Sequence, residues 1–380
     1  MLRRPGGAHR AAAIAATTCM GVVILAACAT RAATPSMEGN RNARPVNSTV
    51  NAAAIDSLIA PYDRPGEPGL SVAVIQAGRI VYSRAVGLAD VEARTRATLE
   101  TNYRLASLTK QFTAMAIMML VDDGALRYED RLTDVLPGFP TYGNRVTIRH
   151  LLTHTSGLQA YEDFVSDTQT AQLHDRDVLA TMTARDSTYF EPGTHFRYSN
   201  SGYAVLAMVV EAKSGMPFPR FLAERIFRPL GMTATVAHVE GMDVVTNRAY
   251  GYSRRGGRFV RTDQSSTSAV LGDGGIYSSV MDLVRWDAAL DDERLVSRAA
   301  MRRAMTADTL VSGASAGYGF GWFVDEYNGR QRHWHYGETV GFRTGIHRFP
   351  RERLTVMVLA NRADARPAEV AEKIADLTLR

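Results

Sequence analysis

The chain has 380 residues, 46% hydrophobic and 22% charged, a balance that suits a folded body of enzyme size and excludes a disordered or fibrous chain. Its formal charge of +5 comes from the first 44 residues, where six arginines face one glutamate; from Pro45 onward acidic and basic side chains balance. Charge therefore gives no reason to expect a nucleic-acid partner.

Arg3, Arg4 and Arg10 form a basic start, and the apolar run from Ala11 to Ala27 is broken only by Thr17, Thr18 and Cys19 before Cys28. The run is shorter than the ~20 residues of a spanning helix and reads as an export signal over residues 1–27. Leu25-Ala26-Ala27-Cys28 resembles the lipobox of bacterial lipoproteins, which implies cleavage before Cys28 and lipidation of its thiol; an ordinary secretory signal cut nearby is the alternative. Ala29 in place of Asp after that cysteine points to the outer membrane, facing the periplasm. With Cys19 removed and Cys28 lipidated, no thiol is left for a disulfide. Residues 28–48 are rich in Ala, Asn, Arg, Ser and Pro and read as a flexible tether with a mean reach of about 25 Å. The body, residues 49–380, is long enough to bury roughly three quarters of its unfolded surface.

Within the body, Asn51 to Ala60 fits a short amphipathic helix, and Leu70–Gln76 and Arg79–Val86 are β-branched runs around Ala77-Gly78, a hairpin pattern. Ser107 to Val121 predicts a helix apolar nearly all round and therefore buried, stopping at Asp122-Asp123-Gly124. Leu126 to Asp273 reads as helical patches and loops punctuated by Pro and Gly, with a clear helix over Ser201–Lys213. Strand-like runs return at Arg332–Tyr336, Val340–Phe349 and Leu354–Leu359, and a last helix covers Ala368–Leu379. Strands at both ends with helices between predict one α+β body: a sheet assembled from both termini and a helical insertion at roughly 126–273.

Only three lysines stand among the 44 basic residues, and Lys110 alone has a serine, Ser107, three positions upstream. Arginine keeps its proton at any ordinary pH, whereas a buried lysine can lose it and act as a base. Ser107-x-x-Lys110 thus reads as a nucleophile with its activator on one helix face, the alternative being a polar helix start with an exposed lysine.

Four further segments follow in order: His150 to Leu158, Glu191-Pro192-Gly193 leading to Tyr198-Ser199-Asn200, Gly272-Asp273-Gly274-Gly275, and His335-Tyr336-Gly337 before Gly341-Phe342-Arg343-Thr344. Together with Ser107-x-x-Lys110 they resemble the serine hydrolases related to class C β-lactamases, a group that includes D-alanyl-D-alanine carboxypeptidases and β-lactamase-like esterases. The resemblance covers about Ala52 to Leu379. It implies a β-lactamase/transpeptidase-like fold, an antiparallel sheet flanked by helices beside a mainly helical domain, with the site in the cleft between.

The resemblance also implies roles. Ser107 would form an acyl-enzyme, and Lys110 and Tyr198 would exchange its protons, without cofactor or metal. The site must bring the lysine from ~10.4 towards ~7, about 4 kcal/mol of bias against its charge. Asn200 would orient Lys110 and the substrate carbonyl. The backbone amides of Ser107 and of Glu338, after Gly337, would face the oxyanion, with the Glu338 side chain incidental. True β-lactamases typically carry Lys-Thr-Gly where this chain has His335-Tyr336-Gly337, and His335 is mostly neutral at pH 7. That departure favours an ester, peptide or amide substrate over a β-lactam, unless Arg343 supplies the missing cation. Class C-type β-lactamase activity and a cell-wall peptide sensor without turnover are the rival readings.

Two decoys carry less. Gly313-Ala314-Ser315-Ala316-Gly317 matches a nucleophile elbow but lacks the strand–turn–helix setting. His150/His154 and His333/His335 have paired spacings without the glutamate of a zinc helix.

Overall fold

The computed structural model describes residues 50–379, so the export signal, Cys28 and the tether lie outside the described residues. Helix α1, Ala52–Ile59, starts where Asn51 Oδ1 accepts the Ala54 amide at 3.0 Å and buries Ile55 and Ile59. Strands β1 (Leu70–Gln76) and β2 (Arg79–Val86) form the expected hairpin, turning through Ala77 and Gly78 with φ of 51° and 78°. Both turn residues with positive φ match the right-handed twist of the flanking strands.

The chain then leaves the sheet. Helix α2, Lys110–Asp122, is buried from Lys110 to Leu120. Helix α3, Asn200–Ser214, is capped by Ser199 and stopped by Gly215 at φ 68°. Helix α4, Val280–Ala289, packs its Trp286 ring 4.2 Å from Phe112 and donates the indole N–H to Gln111 Oε1. A two-stranded hairpin, Tyr252–Arg255 with Arg258–Arg261, joins the body where the Tyr252 amide meets the carbonyls of Gly341 and Asn361.

Four strands close the sheet: β3 (Phe323–Tyr327), β4 (Arg330–Thr339), β5 (Phe342–Phe349) and β6 (Leu354–Ala360), with helix α5 (Pro367–Thr378) last. The order across the sheet is β3-β4-β5-β6-β1-β2, with every neighbouring pair antiparallel. Strands from the two ends meet at β1 and β6, in register from Leu70↔Ala360 to Gln76↔Leu354.

Alternation decides what each strand face covers. Leu70, Val72 and Val74, with Leu354, Val356 and Val358, join Ile55, Ile59, Val370 and Ile374 under α1 and α5. Ala73, Ile75, Met357 and Leu359 point the other way, into the larger core around α2 and α3. Both faces are covered, so these strands read as unbroken apolar runs. Edge strand β3 differs: its residues are half-buried or exposed, and sequence periodicity does not single it out. A signal was nevertheless present in Asn328-Gly329, which turns at φ 50° and 72° into β4.

Asn361, fully buried after β6, ties the sheet to the body. Its Oδ1 accepts the Gly69 amide at 3.0 Å, and its Nδ2 donates to the carbonyls of Leu88, Ala89 and Tyr250 at 3.0, 3.1 and 2.9 Å. Asn361→Ala strands several buried groups and should cost at least about 2 kcal/mol, read as a lower urea midpoint with unchanged slope.

Candidate active site

Ser107 lies in a 3-10 turn, Ala106–Thr109, that precedes α2, rather than inside the helix as its pattern suggested. Residues three apart eclipse one another in such a turn, which puts Ser107 and Lys110 on one side. Ala106 adopts φ 50°, a conformation that costs a non-glycine residue of order 1 kcal/mol and that only surrounding packing sustains. Ser107, the candidate nucleophile, therefore follows a strained residue.

The Lys110 amine is fully buried. It donates to Asn200 Oδ1 at 2.8 Å and to the Asp273 carbonyl at 2.8 Å, and Ser107 Oγ stands 3.1 Å from it. The first two partners can only accept, so they use two N–H bonds. The third position faces a hydroxyl that can donate as readily as accept. A neutral amine, with two hydrogens and one lone pair, fits this environment completely. Burial pushes Lys110 down to about 8, while the negative charges of Asp273 and Glu162 work the other way.

Tyr198 and Asn200 arrive on the segment entering α3. Asn200 is the first residue of the helix rather than part of an extended run. Its amide bridges Lys110 and Glu162, donating to Glu162 Oε1 at 2.7 Å. The Tyr198 ring lies 5.0 Å beneath Lys110 Nζ, and its hydroxyl is buried on the side of Ser107. Burial raises that phenol well above its ordinary value, with the Ser107 hydroxyl acting in the opposite direction. His154 stacks on it at 4.2 Å and accepts the Ser199 amide at Nδ1, which leaves the hydrogen on Nε2. Burial, then the charge of Lys110, holds His154 well below the usual range, so the ring stays neutral.

Gly337 is where β4 meets the turn carrying Ser107. A Cβ there would collide with the Leu105 carbonyl oxygen and with Thr344 Oγ1, which itself donates to Leu105 O at 2.7 Å. Only glycine allows this approach, which brings Glu338 to the rim of the cavity that holds Ser107.

Three candidates sit otherwise than a substrate-binding set requires. His335 is fully buried; its Nδ1 donates to the Tyr336 carbonyl at 2.7 Å and its Nε2 accepts the Tyr318 hydroxyl at 2.9 Å. Burial brings it down to about 3, so it offers no cation. Arg343 is taken by Glu338 at 2.7 Å and by the carbonyls of Thr339 and Phe342 at 2.7 and 2.8 Å. The Glu338 side chain thus has a task, holding Arg343.

Ser107 opens into a cavity of about 110 Å³ whose walls include Asn200, Glu162, Asp273, Tyr161 and Arg104. Glu162 and Arg104 carry no signal in the local pattern. The Asp273 carboxylate accepts the Tyr161 hydroxyl at 3.2 Å, and burial raises it to about 6. Arg104 spends its donors on Ser268 and on the Gly274 carbonyl. A larger hollow of about 450 Å³ surrounds Asp287 and Arg348, but neither Ser107 nor Lys110 lines it.

A family model described as beta-lactamase matches residues 55–379. The chain belongs to the beta-lactamase family. Penicillin-binding protein 4* of Bacillus subtilis is 33% identical over 309 residues, covering 77% of this chain and 68% of that protein. A D-aminopeptidase of Brucella anthropi is 30% identical over 346 residues, covering 87% of this chain and 63% of its own length; the chain spans less than two thirds of the D-aminopeptidases it matches. The octameric penicillin-binding protein homologue from Pyrococcus abyssi superposes with a TM-score of 0.74 at 28% identity, over 87% of this chain and 77% of that one. D-amino acid amidase from Ochrobactrum anthropi SV3 shares the fold, with a TM-score of 0.70 at 23% identity over 86% and 95% of the two chains. The β-lactamase/transpeptidase-like α+β fold is thereby established.

Within this family fold the decoys have other uses. Ser315 sits on an exposed loop and accepts the Gly317 amide at 3.1 Å. His150 Nδ1 accepts the Thr147 amide. Among the described residues no group of three or more His, Cys, Asp or Glu stands placed to hold a metal. Gly337→Ala should force β4 away from Leu105 and lower kcat/KM by two orders of magnitude or more, roughly the effect of losing one oxyanion donor, while circular dichroism stays close to that of the parent.

Proposed function

We propose that the protein is a serine hydrolase that forms an acyl-enzyme on Ser107 and cleaves amide or peptide bonds of substrates bearing a free amino group. The observation that carries this is the buried Lys110 amine, 3.1 Å from Ser107 Oγ, with its other two positions held by acceptors. Neutral Lys110 takes the Ser107 proton as Oγ attacks the carbonyl carbon. The amides of Ser107 and Glu338 face the developing oxyanion. Tyr198 passes a proton to the departing amine, and the same groups activate water to release the acyl product.

The substrate class rests on charge. Glu162 and Asp273 set two carboxylates against the one Arg104 guanidinium in the cavity wall beside Ser107, a balance that suits a substrate ammonium group on the acyl side. Neither sequence candidate for the cation that a β-lactam or a C-terminal carboxylate needs is free, since His335 is neutral and Arg343 is occupied, and the Arg104 guanidinium in the cavity wall is held by Ser268 and the Gly274 carbonyl. The D-aminopeptidase relatives agree with this direction.

Because the reaction needs the unprotonated amine, the rate of Ser107 labelling by a fluorophosphonate should rise roughly tenfold per pH unit below about 7 and flatten above about 8. Asp273→Asn removes a charge that favours the ammonium form, so it should move that rise to lower pH. A profile flat from pH 5 to 9, or labelling that survives Ser107→Ala, refutes the assignment.

We further propose that the protein is exported and lipid-anchored at the envelope through Cys28, a reading supported by the Leu25-Ala26-Ala27-Cys28 pattern. Cys28→Ser should abolish incorporation of labelled fatty acid and move the protein out of the membrane fraction; unchanged labelling counts against it.

A further inference from the structure

The cavity that holds Ser107 is lined by polar groups, whereas a second surface begins at the Tyr198 ring, 5.0 Å from Lys110 Nζ, and its rings are arranged in near-parallel order. The Tyr198 and Phe323 rings lie 6.2 Å apart at 9°, Phe323 and Tyr336 6.1 Å apart at 11°, and Phe323 and Trp334 4.9 Å apart at 28°. None of these four residues lines the cavity. Tyr336 is 44% exposed, although it neighbours the fully buried His335. Strand β3 stops pairing at Phe323↔Trp334, so Tyr336 and the rest of β4 have no strand on that side. Trp334 is held from beneath: its indole donates to Asp325 at 3.0 Å and the Arg332 guanidinium lies 4.5 Å from its ring.

We propose that Tyr336, Phe323 and Trp334 form the subsite for the leaving group, and that it takes an uncharged aromatic or apolar group in preference to one bearing a carboxylate. The proposal rests on the acyl-serine reading above. The group that Tyr198 protonates must leave beside its hydroxyl, and the surface continuous with that ring is this shelf. Stacked aromatic faces attract apolar and aromatic groups. The cations nearby are already paired, Arg332 with Asp325 and Glu372 and Arg343 with Glu338, so a carboxylate placed here would be desolvated without a partner. A substrate would thus lay its ammonium-bearing acyl part in the cavity and its apolar amine part across the rings.

The test compares D-alanine benzylamide with D-alanylglycine, two amides that share an acyl group and release amines of similar basicity. The parent protein should favour the benzylamide in kcat/KM by roughly tenfold or more, the scale of one good apolar contact. Tyr336→Ala should bring the ratio towards one, chiefly by raising KM for the benzylamide; Tyr336→Phe should keep it; Tyr336→Arg should tilt it to the dipeptide. Benzyl alcohol should inhibit the parent competitively and glycine should not, a measurement that needs no variant to fold. A parent that prefers the dipeptide, a ratio unchanged in Tyr336→Ala, or equal inhibition by both small molecules overturns the shelf. Absence of fluorophosphonate labelling at Ser107 overturns the acyl-serine reading instead, and the inhibition experiment distinguishes the two failures.

Discussion

Stripping water from one ammonium group is the constraint around which this molecule is built. Moving a lysine from 10.5 to about 8 corresponds to roughly 3 kcal/mol against its charged form, and a fully buried position supplies it. That burial requires a helix covered on every side. Helix α2 meets the condition because the sheet, α3 and α4 surround it, down to the Trp286 indole that donates to the buried Gln111 Oε1. Asp273 and Glu162 temper the effect, which keeps the amine near the pH at which a base is most useful.

The second requirement is close approach of two backbones. The turn at Ala106 and strand β4 come together because Gly337 has no side chain and because Thr344 bonds the Leu105 carbonyl across the gap. A positive φ at Ala106 is the local cost, and the rigid six-stranded sheet behind it is what makes such strain sustainable. Precision at the nucleophile is therefore a property of the sheet edge as much as of the helix.

Charge around the site is arranged asymmetrically. His154 and His335 stay neutral, Arg343 is consumed by a carboxylate and carbonyls, and the cavity is left with the carboxylates of Glu162 and Asp273 against the Arg104 guanidinium. On the proposed function, such an arrangement would select among substrates without altering Ser107 and Lys110.

The sequence by itself determined the local parts. β-Branched runs marked β1, β2 and β6, the apolar stretch after Ser107 marked α2, and a lone serine–lysine spacing marked the pair that the structure brings to 3.1 Å, because period and spacing are local quantities. The boundaries moved by a few residues, and β3 was missed because an exposed edge strand has no apolar period to display. Tertiary structure alone decided the environment of the amine. Asn200, Asp273 and Glu162 come from three distant segments, and whether a histidine is buried or an arginine already engaged depends on neighbours far along the chain. Desolvation and pairing are properties of assembled surroundings, so the surroundings of Lys110 could not be read from the sequence and were set only when the chain closed around it.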